Sequence, residues 1–137
     1  MWSFVFPFNQ RKKKQMRMWM INPKLMCDSH LRGEHAEHHM FLGTMKIGKS
    51  MNGYFKNNLL QLKDLITRHD ILAEEMLERR FKHESPLSSE EFHKYLEQYA
   101  AKYENLYQNS VVDIERSKVD LFSRCEKCRE RLSHIQI

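Results

Sequence analysis

The sequence predicts an all-α protein: a single compact domain of three to four long helices with a Gly/Lys/Asn-rich connecting loop. Three observations carry this. Glycine and proline are scarce, at 4 and 3 of 137 residues, methionine is common at 9, and aliphatic and aromatic residues are plentiful. Apolar residues recur at three- and four-residue steps over most of the length, which is the period of an amphipathic helix and not of a strand. Ser88 followed by Glu91 is a capping box, in which each side chain satisfies a backbone N–H left open at a helix start. A chain of this length can close one core but not two.

Taken in order, residues 1–15 have no helical period and end in the basic run Arg11, Lys12, Lys13 and Lys14, so they read as a disordered tail or a non-native upstream extension. Met16-Arg17-Met18-Trp19 has the look of a translation start, and the working protein is expected to begin at Met16. Asn22-Pro23 marks a turn. The first long helix is expected from Asp28 to about Thr44, capped by Asp28 or Ser29. Its apolar stripe is Leu31, Phe41, Leu42 and Met45, and Glu34 and His38 fall in the middle of it. Burying a carboxylate and an imidazole there is costly unless each has a partner. The two are either a satisfied core pair, four residues apart, or neighbours of a pocket that uses a carboxylate near neutral pH.

A Gly/Lys/Asn linker follows to about Asn57. From Asn58 to Lys82 the residues Leu62, Leu65, Ile66, His69, Leu72, Ala73, Met76, Leu77 and Phe81 form the stripe of a second helix, with Arg68-His69 near its centre. His83 to Leu87 is a turn. The next helix, opened by Ser88, carries the aromatic stripe Phe92, Tyr95, Leu96, Tyr99, Tyr103, Leu106 and Tyr107, which reads as a packed face. Asn109-Ser110 breaks it. Val111, Ile114, Leu121, Phe122, Cys125, Cys128 and Leu132 make the stripe of the last helix. Cys125-x-x-Cys128 is half of a zinc pattern or a redox pair; with no second CxxC, the two thiols read as small core residues.

The formal net charge of +5 resembles a nucleic-acid signature, but the tail supplies four of the basic residues, and without residues 1–15 there are 19 basic against 18 acidic side chains. A local patch says more. Between Glu37 and Asp64 there is no acid, while Lys46, Lys49, Lys56 and Lys63 recur among Gly43, Gly48, Gly53, Asn52, Asn57 and Asn58, a composition that can meet phosphates. No apolar run is long enough for a membrane span, the first residues make a poor signal peptide, and three cysteines suit reduced thiols, so a cytoplasmic protein is expected. His35 and His39 are spaced i, i+4, yet both His-Glu-x-x-His and His-x-x-Glu-His are absent, so no metal and no cofactor are expected.

Three stretches, Met16-Arg17, Asp28-x-His30-Leu31-x-x-Glu34-x-x-Glu37, and Arg68-His69 through Glu75 and Arg79 to Phe81, resemble the pyrimidine-dimer DNA glycosylases of the phage endonuclease V type and their prokaryotic relatives. The similarity covers about residues 16 to 87. It is nearest to the branch with the His30 to His39 pattern, the Gly48-Lys49-Ser50 loop and the His83 to Leu87 turn. The resemblance implies an all-helical enzyme that cleaves the glycosidic bond of a damaged pyrimidine and then the DNA strand. It implies that the α-amino group of the first residue attacks C1′ to give an imine, while a glutamate stabilises the developing charge. Those two groups match Met16 and Glu37, 21 positions apart.

By the same resemblance Arg17 binds DNA beside the amine and His30 precedes the catalytic helix. Two DNA-holding arginines of the phage enzyme are replaced by Ala36 and Met40, the glycine expected before Phe81 is Arg80, and the phage enzyme's aromatic C-terminal segment is not evident. The expected protein is therefore a cofactor-free DNA glycosylase with AP-lyase activity, acting as a monomer on double-stranded DNA that contains a damaged base. Met16 and Glu37 carry the chemistry. Arg17, His30, Glu34 and His38 shape the site, and Arg68, His69, Lys46, Lys49 and Lys56 contact DNA. The alternatives are a non-catalytic DNA-binding or phage–host interaction protein on the same scaffold, and a metal-dependent hydrolase built on the histidine cluster.

Overall fold

The computed structural model describes residues 16–83, 85–103 and 110–135. The basic run at 11–14, the stripe residues Leu106 and Tyr107, and Asn109 lie outside them. The described residues are helical with no strand, but in six helices: α1 (Asp28–Lys46), α2 (Asn52–Lys56), α3 (Leu65–Glu78), α4 (Ser89–Lys102), α5 (Ile114–Arg124) and α6 (Glu126–Ile135). Two short 3-10 turns, Pro23–Leu25 and Leu62–Asp64, precede α1 and α3.

The six arise where the expected long helices are interrupted. The expected second helix begins late because Asn58 adopts a left-handed φ of 56° and Leu59 and Leu60 are buried in a non-helical connection. It ends early in a Schellman motif: the Arg80 N–H bonds to the Leu77 carbonyl, the Phe81 N–H reaches back to that of Met76, and Arg80 takes φ 69°. The expected last helix splits at Cys125, whose extended backbone (φ −121°, ψ 107°) separates α5 from α6. The connecting loop itself contains α2, anchored by buried Phe55.

Caps set the remaining boundaries. Ser88 accepts the Glu91 N–H at 3.0 Å, one half of the capping box, while the Glu91 carboxylate pairs with Lys46, and Asp113 caps the Arg116 N–H at 3.1 Å. The cap of α1 is neither Asp28 nor Ser29 but Cys27, whose sulfur accepts the His30 N–H, while Asp28 turns outward to Arg79. At the other end Gly48 closes α1 with φ 73°, a conformation that a side chain would strain.

The helix α1 is the centre, packed on α3 and α4, while α5 and α6 pack on each other and α6 covers the Pro23–Leu25 turn. Two apolar clusters lie along α1. Phe41, Leu42 and Met45 join Met18, Met51, Phe55, Leu60, Leu62, Leu65, Phe92 and Tyr99 in one. Leu31 joins Trp19, Ile21, Met26, Leu72, Met76 and Leu121 in the other. Residues 17–21 are therefore threaded through the interior, with Met18 in the first cluster and Trp19 and Ile21 in the second. That threading positions the candidate site.

Candidate active site

Residue 17 is held from three directions. Met18 donates its N–H to the Leu59 carbonyl at 2.8 Å, fixing the strand of chain behind it. The Arg17 guanidinium, buried and stacked 3.9 Å above the Trp19 ring, donates to Ser117 Oγ at 2.9 Å and to Asp120 at 3.3 Å on α5. Burial lowers its pKa, with Asp120 opposing the shift. The Arg17 main-chain N–H donates to Glu37 Oε1 at 3.0 Å. Met16 is half-buried against the first cluster, so the structure brings residue 16 and Glu37 together.

The other expected site residues divide by burial. Glu34 is buried and accepts a bidentate pair from Arg68 at 2.8 and 2.9 Å, which satisfies both charges. His38, fully buried, bonds through Nδ1 to the Glu34 carbonyl at 2.8 Å, while its Nε2 has no hydrogen-bond partner and lies 3.9 Å from the Glu34 carboxylate. Burial drives the His38 pKa down to about 4, so the ring is neutral. Glu34, Arg68 and His38 are thus a core polar network joining α1 to α3. Arg68 and His69, expected at the DNA surface, are buried, at 4% and 0% exposure.

His35 and His39, one turn apart, meet His69 from α3 and His83 from the turn beyond it, with ring centroids 4.6 to 5.2 Å apart. His69 presents Nε2 to His39 Nε2 at 3.2 Å and is oriented by Asp70 on Nδ1 at 2.9 Å. Burial, then the neighbouring imidazoles, pushes the His35 pKa down to about 4, and burial also lowers that of His39. The Nε2 atoms of His35 and His83 are buried without hydrogen-bond partners. The ligand atoms of His35, His39 and His69 lie within 4.8 Å of one another, close enough to share a metal ion. At 100° per residue, Glu37 falls on roughly the opposite side of α1 from this cluster.

Of the lysines, Lys46 pairs with Glu91 at 2.9 Å, and Lys49 and Lys56 are exposed. Their loop is held from α4, as a packed aromatic face would do. Tyr99 accepts the Met51 N–H at 2.9 Å and donates to the Lys49 carbonyl at 3.2 Å, and Tyr103 and Lys102 donate to that of Gly48 at 2.9 and 3.0 Å. His30, two turns before Glu37, sits edge-on to Trp19 at 5.8 Å and directs Nδ1 toward Cys27 at 3.4 Å. Ser117 and Asp120 are the anchors that sequence reasoning missed, because nothing local marks two polar residues of α5 as partners of Arg17.

No described helix is long and apolar enough to cross a membrane. No curated protein and no solved structure matches the sequence. The family model for pyrimidine dimer DNA glycosylases does match, over residues 16–89, more than half of the 137 residues. That span opens on Met16 and runs through α1, α2 and α3 to the start of α4, taking in the threaded segment, Glu37 and the Glu34–Arg68 network. The chain belongs to the pyrimidine dimer DNA glycosylase family.

Proposed function

We propose that this protein is a DNA glycosylase with AP-lyase activity on damaged pyrimidines in duplex DNA, working from a chain that begins at Met16. The hydrogen bond from the Arg17 N–H to Glu37 at 3.0 Å carries the reading, because the nitrogen it holds at the carboxylate is three bonds from the nitrogen of residue 16. If the chain starts at Met16, the residue 16 nitrogen is an α-amine with a pKa of about 8, partly neutral at pH 7 and therefore nucleophilic. It attacks C1′ of the sugar as the base leaves with its bonding electrons. The attacking nitrogen gives up a proton, and its lone pair then expels O4′, which takes up a proton, so that the C1′–O4′ bond breaks and the ring opens to the protonated imine. Glu37 stabilises the positive charge that develops at C1′ and nitrogen, then assists the proton removal that expels the 3′ phosphate. Exposed Lys49 and Lys56 are suited to the backbone phosphates, and extruding the lesion costs less than extruding a paired base.

The match of the family model from residue 16 supports the same starting point. In a longer chain the nitrogen of Met16 is an amide and cannot form the imine. Borohydride reduction of the chain begun at Met16 with irradiated or abasic duplex DNA is expected to trap a covalent complex. A chain retaining residues 1–15 is expected to trap none, and absence of a complex from both rejects the mechanism. Glu37→Gln is expected to lose strand cleavage; unchanged function would favour a DNA-binding protein, a reading suited to exposed Ala36 and Met40.

A second reading, a metal-dependent hydrolase, is favoured by the meeting of His35, His39 and His69 and by the unpartnered Nε2 of His35. Strand cleavage that disappears on chelation and returns with added metal, without a borohydride-trapped complex, would support it over the imine.

A further inference from the structure

Cys27-x-x-His30 and Cys125-x-x-Cys128 are 98 positions apart in sequence and meet in space. Cys27 Sγ lies 3.8 Å from Cys125 Sγ and 3.4 Å from His30 Nδ1, and His30 Nδ1 lies 3.8 Å from Cys128 Sγ. All four ligand atoms fall within 4.8 Å of one another. A tetrahedral zinc ion, with bonds of about 2.3 Å to sulfur and about 2.0 Å to nitrogen, sets its ligand atoms about 3.5–3.8 Å apart. The three separations of 3.4, 3.8 and 3.8 Å are close to the edges of such a tetrahedron. We propose that Cys27, His30, Cys125 and Cys128 form a structural zinc site with three thiolates and one imidazole.

The surroundings fit thiolates. The Cys27 N–H points at Cys128 Sγ at 3.2 Å and the His30 N–H at Cys27 Sγ at 3.5 Å, so two amide dipoles face sulfurs that would carry negative charge in a metal complex. Cys27 and Cys128 are buried at the edge of the second apolar cluster, which keeps water from competing for the ion. Four protein ligands leave no open coordination position, so the site is structural and not catalytic.

A separate observation says why a cross-link is needed there. The helices α5 and α6 bury only Ser117, Leu121 and Cys128 between them, and they leave Ile114, Val119 and Ile135 exposed. Apolar burial alone holds them weakly. A metal shared by the cap of α1, the α5–α6 junction and the first turn of α6 would fix both helices to the centre of the fold. Because α5 holds the Arg17 side chain, the ion would steady the segment beside Glu37 without touching it. The zinc assignment does not depend on the glycosylase mechanism.

The full chain, purified reduced and without chelator, is expected to carry zinc bound to these four residues by elemental analysis. Replacement with cobalt is expected to give the sulfur-to-cobalt charge-transfer and visible bands of a tetrahedral thiolate complex. Cys125→Ser combined with Cys128→Ser should abolish those bands, whereas His30→Cys should keep the metal and shift them. A folded chain without zinc, whose three thiols react together with Ellman's reagent and which takes up no cobalt as a thiolate complex, overturns the proposal. So does metal that survives the double serine substitution and is lost with His69→Ala, which locates it in the imidazole cluster. If the double-serine chain does not fold, the cobalt spectrum of the unaltered chain decides.

Discussion

Glu34 and Arg68 show how a polar residue in an apolar stripe acquires its meaning. The sequence puts Glu34 on the buried face of α1, and only its bidentate pairing with Arg68 makes that burial tolerable. Arg68→Met is expected to destabilise the fold by about 3–5 kcal/mol because it strands the carboxylate, and adding Glu34→Gln should recover much of the loss. Urea denaturation of the two single variants and the double variant checks this. His38 makes a related prediction in pH. Its pKa is about 4 folded against 6.5 unfolded, so its contribution is full above pH 6.5 and falls away as pH drops toward 4, where the unfolded chain takes up the proton first. The loss amounts to about 3 kcal/mol, at about 1.4 kcal/mol per pKa unit. Denaturation midpoints of the parent and of His38→Leu, measured from pH 8 to 4, should show a steeper acid decline in the parent.

The elements were legible in the sequence to the extent that their signals are local. Ser88 and Glu91 opened α4 where the capping box predicted, and the three- and four-residue periods of α1 and α3 gave most of the faces that are buried, although Leu77, expected in the stripe of α3, is exposed and Arg68 and Glu75 are buried there. Their ends were less visible. Arg80 occupies the left-handed position of a Schellman motif, where glycine is the usual residue, so sequence periodicity continued past the true end of α3. Arg80→Gly is expected to raise stability by about 1 kcal/mol by relieving that backbone, a gain readable as a higher midpoint in thermal or urea unfolding. The split at Cys125 was hidden for a different reason. The apolar spacing carries across it, while the groups that Cys125 and Cys128 meet, Cys27 and His30, lie far upstream.

At the scale of the whole molecule, charge and topology act together. With the tail set aside the charge is nearly balanced, so the proposed function assigns DNA affinity to a local surface, the exposed lysines around α2. Each lysine that meets a phosphate contributes about 0.9 to the slope of log affinity against log salt. Replacing Lys49 and Lys56 together by alanine is expected to lower that slope by up to about 2, measured by DNA titration over a range of salt, with the fold unchanged.

The sequence by itself determined that the chain is helical, where most of its apolar faces lie, and, through motifs spaced within single helices, the family to which it belongs. Only the tertiary structure decided that Arg17 meets Glu37, that Arg68 turns inward to Glu34, and that Cys27-x-x-His30 meets Cys125-x-x-Cys128. The division has a physical cause. Periodicity, caps and motif spacing are written in neighbouring residues. A contact between residues 20 to 101 positions apart exists only after helices have packed, and the packing is set by the shape of the core as a whole.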